Sequence, residues 1–191
     1  MSSTDPASDQ DYGILERGHG EVTLSFIRRL PHPPQRVWRA LTEPEHVAEW
    51  FPTTIEGDLV AGARLRFAFR EMQAPDFDGT MLAADPPWLL EFVWGDERLR
   101  FELTPEDSGT VLRFSASFAE IGRAARDGAG WHTCLDLLGF ALTGDSAPWQ
   151  QDARWRMVHP GYVARFGPAA ATVGPPPEWQ QAYGPVDEDR S

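Results

Sequence analysis

The residues able to do chemistry are few, and each has a placement that limits it. The chain has one thiol, Cys134, which cannot form an intrachain disulfide. Cys134 recurs with Trp131, Leu135, Leu138, Ala141 and Leu142 at steps of three and four, the spacing of one stripe of an α-helix. A thiol buried on such a stripe has a raised pKa and is a poor nucleophile. The five histidines, His19, His32, His46, His132 and His159, show no paired metal-ligand spacing with one another or with Cys134, so no metal and no cofactor is expected. There is no Gly-rich phosphate loop, no Gly-x-Ser-x-Gly elbow, and no aromatic ladder on a basic strand face.

The elements that position these residues are mostly strands. Residues Glu21 to Leu30 alternate, with Val22, Leu24 and Phe26 on one face, and Pro31 ends the run. Pro33 and Pro34 suit a helix start, followed by Val37, Trp38 and Leu41 at helical spacing up to Pro44. A second short helix runs from Glu45 to about Trp50 and Phe51. Strands are then expected at 55–59, 64–70, 79–84, 88–94, 98–103 and 110–118, separated by Gly- and Pro-containing turns. Consecutive hairpins give an antiparallel meander. Its apolar phase gathers Leu65, Phe67, Phe69, Leu90, Phe92, Trp94, Leu99, Phe101, Leu103, Leu112, Phe114 and Ala116 on one concave face, none of them ionisable. A curved sheet with such a face closes around one helix, here expected from Gly130 to about Leu142, with His132 and Asp136 off its apolar stripe.

The opposite phase carries Arg64, Arg66, Arg70, Arg98, Arg100 and Arg113, with Glu91, Glu97 and Glu102 as cross-strand partners, and reads as a solvated convex face. All 17 cations are arginine, against 29 acidic residues, for a net charge of −12 and a pI near 4.7. Such a surface disfavours nonspecific binding to nucleic acid or anionic membrane. Nothing near Met1 resembles a signal peptide, so a cytoplasmic protein without membrane insertion is expected.

Four motifs in order resemble a known superfamily: the run from Arg36 to Phe51 (RVWRALTEPEHVAEWF), the turn Asp85-Pro86-Pro87, the strand end Phe92-Val93-Trp94 and the Gly130-Trp131 helix. The chain is identified as similar to the SRPBCC, or START-like, superfamily, in the branch related to the activator of the heat-shock-protein-90 ATPase. The resemblance implies an α+β helix-grip fold: a curved antiparallel sheet wrapped around a long C-terminal helix, with two short helices after the first strand. Domains follow as a leader at 1–12, the START-like domain at 13–144, and an extension at 145–191.

In that superfamily the space between sheet and long helix commonly holds a hydrophobic molecule. The expected ligand-binding residues are therefore Trp50, Phe51, Phe67, Phe69, Phe92, Trp94, Phe101, Phe114, Trp131, Leu135 and Leu138, with Trp50 and Phe51 toward the cavity mouth. The alternatives implied are a cochaperone-like module with a chaperone or other protein partner, and a cyclase or aromatase. An enzyme needs acid or base groups inside, which the concave face lacks unless Glu49, Glu71 or Thr80 turns inward. A monomer or homodimer is expected.

Beyond Gly144 the chain carries Trp149, Trp155, Val158, Tyr162 and Phe166, the last four at helical spacing. They predict a helical arm to Gly167 if Pro160 only kinks it, folded back beside the cavity mouth or exchanged in a dimer. After it Gly174 to Pro177 is expected to be extended, with Trp179 docking locally and a loose acidic end from Val186.

Overall fold

The computed structural model describes residues 9–18, 20–70 and 74–186. The leader up to residue 8, His19, Glu71 and the acidic end from residue 187 lie outside the described residues. The fold is the expected helix-grip arrangement. Strands β1 (Ile14–Gly18), β2 (Glu21–Leu30), β3 (Arg64–Phe67), β4 (Phe77–Asp85), β5 (Leu89–Trp94), β6 (Glu97–Glu106) and β7 (Gly109–Phe118) form one antiparallel sheet in the order β1-β2-β7-β6-β5-β4-β3. Between β2 and β3 come the two short helices, α1 (Pro34–Thr42) and α2 (Pro44–Val47), each with proline in its first turn. Helix α3 (Ala124–Thr143) lies against the sheet, and α4 (Gln151–Phe166) and α5 (Pro177–Tyr183) follow.

Register shows why the sheet has an inner face. Phe101 opposes Phe114 across β6 and β7, and Leu90 across β5 and β6, so the apolar phases of three strands coincide. Leu65, Phe67, Phe92, Leu99, Phe101, Leu112, Phe114 and Ala116 are all buried. On the convex side Arg64 pairs with Asp78, Arg66 with Asp76, and Arg98 and Arg100 with Glu91.

Several expectations are corrected. Strand β1 was not foreseen, because its side chains are mostly exposed and an edge strand needs no apolar face. No strand forms at 55–59: Glu56 makes only an isolated bridge to Arg66, and Gly57, at φ 139°, lies so close to Arg64 that a Cβ would come within 2.6 Å of its carbonyl oxygen. The strand expected at 64–70 stops at Phe67, and Phe69 holds an isolated bridge to Thr53. Arg70, expected on the convex face, lines the cavity described below, and its guanidinium donates to the carbonyls of Val47, Thr53 and Phe51. Helix α3 begins six residues before Gly130, so Trp131 sits in its second turn and does not start it; Gly144, at φ 78°, caps its end.

Helix α3 is buried on two sides. Trp131, Cys134, Leu135, Leu138 and Leu142 face the sheet, while His132, expected off the stripe, is 0% exposed because α4 packs over it. His132 Nδ1 is 2.9 Å from the hydroxyl of Tyr162, which accepts a 2.9 Å hydrogen bond from the Gly13 amide. Burial together with Arg28, Arg154 and Arg165 pushes the His132 pKa down to about 3, so the ring is neutral. Asp136 binds Arg154 of α4 at 2.6 Å and lies 3.7 Å from Arg28 of β2. This polar layer ties three elements together, and Pro160 sits inside α4 without ending it.

Candidate ligand cavity

Ring packing decides where space is left between sheet and helix. Over the middle of the sheet the aromatic side chains touch one another: Phe92 and Phe101 at 6.1 Å between centroids, Phe101 and Phe114 at 4.7 Å, Phe114 and Trp131 at 5.0 Å. That region is filled core. Packing stops toward the β5–β6 turn, where a cavity of about 500 Å³ opens. Its walls are the end of α2, Phe69 and Phe77, the β5–β6 turn, the first half of α3, and Trp155 and Trp179 from the C-terminal extension.

Of the expected ligand residues, Trp50, Phe51, Phe69, Trp94 and Trp131 line this cavity; Phe67, Phe92, Phe101, Phe114, Leu135 and Leu138 belong to the closed core behind it. Phe51 and Trp50 are 2% and 3% exposed, so they form an inner wall. Trp50 is fixed by an indole N–H donated to the Ala40 carbonyl at 2.8 Å, and Trp94 by one donated to Thr53 Oγ1 at 3.1 Å. Trp94 and Trp131 meet edge to face at 5.5 Å. Cys134 also lines the cavity, and burial pushes its thiol up to about 12, leaving it protonated and unreactive.

One wall is charged, and the expectation of an inner face without ionisable groups is corrected there. Glu97 opens β6 in phase with Leu99, Phe101 and Leu103, so it points inward and is 5% exposed. It accepts a 3.2 Å hydrogen bond from Trp131 Nε1. Arg123, just before α3, stacks on Phe118 at 4.5 Å and faces Asp96 at 3.1 Å, Glu97 at 3.3 Å and Asp127 at 3.1 Å. Arg126 reaches Asp127 at 2.6 Å. Burial, reinforced by Asp127 and offset by Arg123, pushes the Glu97 carboxyl up to about 8, and burial also raises that of Asp127.

Both acids left a trace in the sequence. Glu97 shares the strand phase of Leu99, and Asp127 extends the stripe of Trp131 one turn toward the helix start. The contributions of Trp155 and Trp179 depend on how the extension folds back, which periodicity does not specify. Elsewhere, Glu43, Glu45 and His46 bring three ligand atoms within 4.8 Å of one another at the α1–α2 corner, on the surface.

Residues 31–143 match the family of Activator of Hsp90 ATPase homolog 1-like proteins, more than half of the chain. The chain belongs to this family. Solved structures agree in fold. A conserved protein of unknown function from Enterococcus faecalis is 22% identical with a TM-score of 0.67, covering 80% of this chain and 89% of that one. CalU16 from Micromonospora echinospora is 23% identical with a TM-score of 0.62, covering 80% and 94%. An AHSA1-like protein from Aeromonas hydrophila is 24% identical with a TM-score of 0.55, covering 64% and 92%. No curated protein matches the sequence. The AHSA1-like match ends at residue 143, so α4 and α5, with the cavity wall they supply, lie beyond it. No helix among the described residues is long and apolar enough to cross a membrane.

Proposed function

We propose that this AHSA1-like chain is a cytoplasmic binding protein for a small hydrophobic molecule held in the aromatic cavity between the sheet end, α3 and the C-terminal extension. The observation that carries the reading is a cavity of about 500 Å³ walled by Phe51, Phe69, Trp94, Trp131, Trp155 and Trp179. That volume falls within the range of small-molecule sites, and aromatic walls remove apolar ligand surface from water. An enzyme of cyclase or aromatase type is the second reading. Glu97 favours it, because a cavity-wall carboxyl raised to about 8 supplies the general acid that the rest of the concave face lacks.

The test uses Gly130, which lines the cavity and where an added Cβ meets nothing within 4 Å. Gly130→Leu should fill the space without disturbing the fold. The wild type should bind the neutral dye N-phenyl-1-naphthylamine with saturable quenching of tryptophan emission, displaced by an apolar competitor. The variant should lose that binding at an unchanged melting temperature. Equal binding by a folded variant would place the dye elsewhere and remove the reading. Native mass spectrometry of protein from its own host then identifies what is carried.

A further inference from the structure

The charged wall narrows the class of ligand. Two guanidiniums, Arg123 and Arg126, serve three carboxyls, Asp96, Glu97 and Asp127. The sharing is imperfect: Arg123 Nε and Nη2 and Asp127 Oδ2 are buried without a hydrogen-bond partner, although the charged atoms are within ion-pair distance. Arg126 also spends Nη1 on the Gly174 carbonyl at 3.3 Å. The cavity's other two charged walls, Glu49 and Arg70, are one of each sign and leave the excess negative charge in place. Glu97, nearly sealed from bulk water, accepts from the indole edge of Trp131, which Trp94 meets edge to face at 5.5 Å, so the carboxyl shares one cavity with aromatic rings, and such a combination attracts a desolvated cation.

We propose that the cavity selects an organic cation, an ammonium group on an aromatic or alicyclic body, with its charge set against Glu97 and Asp127 and its body among the rings of Trp94, Trp131 and Trp155. This rests on the hydrophobic-ligand reading and adds the head group to it. With Glu97 ionised the three carboxylates are one positive charge short, and an incoming ammonium supplies it. A carboxylate ligand finds both arginines already engaged with carboxylates and is disfavoured, and a neutral ligand of the same shape gains only the apolar contacts.

The pH dependence follows from the groups acting on Glu97: Asp96 from its own turn, Arg123 and Asp127 at the start of α3, and the Trp131 N–H, with Arg126 one step away on Asp127. With its carboxyl raised to about 8, Glu97 is mainly protonated in the free protein at neutral pH. An ammonium binds the ionised form, so its affinity should rise with pH up to the Glu97 pKa, by at most about tenfold per pH unit, and then level off. Binding should release a proton, seen as a buffer-dependent heat.

The experiment compares naphthylmethylamine, naphthylmethanol and naphthoate by isothermal titration calorimetry on the full chain, wild type and Glu97→Gln. At about pH 8.5, where Glu97 is mainly ionised, the amine should bind the wild type at least about tenfold more tightly than the alcohol, one charge pair's worth, and the naphthoate most weakly. In Glu97→Gln the amine's advantage and the proton release should vanish while the alcohol binds as before. Wild-type binding of all three with no preference for the amine, or a preference for naphthoate, overturns the cation assignment and leaves the hydrophobic-ligand reading standing. Binding of none overturns both. The wild-type comparison decides the matter even if the variant does not fold.

Discussion

Trp131 of α3 donates its indole N–H to Glu97 of β6 at 3.2 Å, so the helix is tied to the sheet through a buried acid at the edge of the cavity. The bond compensates the carboxyl only partly: burial holds Glu97 up to about 8, against an ordinary value of 4.5. An acid whose folded-state pKa is raised stabilises the fold below its unfolded pKa and loses that contribution as pH climbs through the folded value. The native state should therefore weaken between about pH 4.5 and 8 from this group. Glu97→Gln retains an acceptor for Trp131 and removes the titration. Urea denaturation should show the variant more stable than wild type by roughly 1–3 kcal/mol at pH 8, with the gap closing toward pH 5. A gap independent of pH would mean that Glu97 does not titrate in that range.

A second pair, Tyr162 and Gly13, holds α4 to the start of the sheet. The Tyr162 hydroxyl is bonded to both the Gly13 amide and His132 Nδ1, and the side chain is 0% exposed. Tyr162→Phe leaves both groups buried without that partner while keeping the ring. A loss of roughly 1–3 kcal/mol is expected, the cost of stranding buried polar groups. A neutral outcome would show that water enters and replaces the hydroxyl.

Packing against the same tyrosine separates two glycines of α3. A Cβ at Gly128 would lie 2.7 Å from Tyr162 Cδ1 and 3.3 Å from Phe166 Cε2, whereas one at Gly139 meets nothing within 4 Å. Gly139→Ala should stabilise the protein by roughly 0.5–1 kcal/mol through helix propensity. Gly128→Ala gains the same propensity but must push α4 outward, an overpacking cost of roughly 1–3 kcal/mol, and should be net destabilising. Opposite signs in paired thermal melts are the expected result; equal signs would mean that α4 yields freely.

What the sequence disclosed follows from what periodicity encodes. Alternation at Leu65 and Phe67, and at Leu99, Phe101 and Leu103, gave the inner face because each strand carries that pattern within itself. Glu97 is in the same phase, but its residue type reads as solvated, since isolated acids are rarely buried. His132 and Asp136 lie off the apolar stripe; their burial arises from α4, a contact between distant segments that no local pattern reports. The boundary between filled core and cavity is likewise non-local. Phe92 and Trp94 are two residues apart on one strand, yet one packs in closed core and the other lines open space, because the rings opposite them differ.

The final prediction concerns α5, which supplies Trp179 and Tyr183 to the cavity wall and has no buried residue of its own. It is held by Trp179 against Trp155 at 5.1 Å and by Arg156, which donates to the carbonyls of Tyr183, Gly184 and Pro185 and lies over the Trp179 ring at 5.2 Å. A helix with no buried residue opens more easily than the core. Helix α4, by contrast, buries Trp155, Val158 and Tyr162. Ending the chain after Gly144 should therefore cost several kcal/mol, since burying each such side chain contributes about 1.5–3 kcal/mol. Ending it after Gly174 should leave the melting temperature nearly unchanged, yet weaken a cavity-bound dye about fivefold, the loss expected for one aromatic contact worth about 1 kcal/mol. Stopped-flow fluorescence should assign that loss mainly to faster dissociation, because α5 closes over ligand already seated against Trp131 and Trp155. Unchanged dye kinetics after removal of residues 175–191 would show that α5 decorates the cavity rim without closing it.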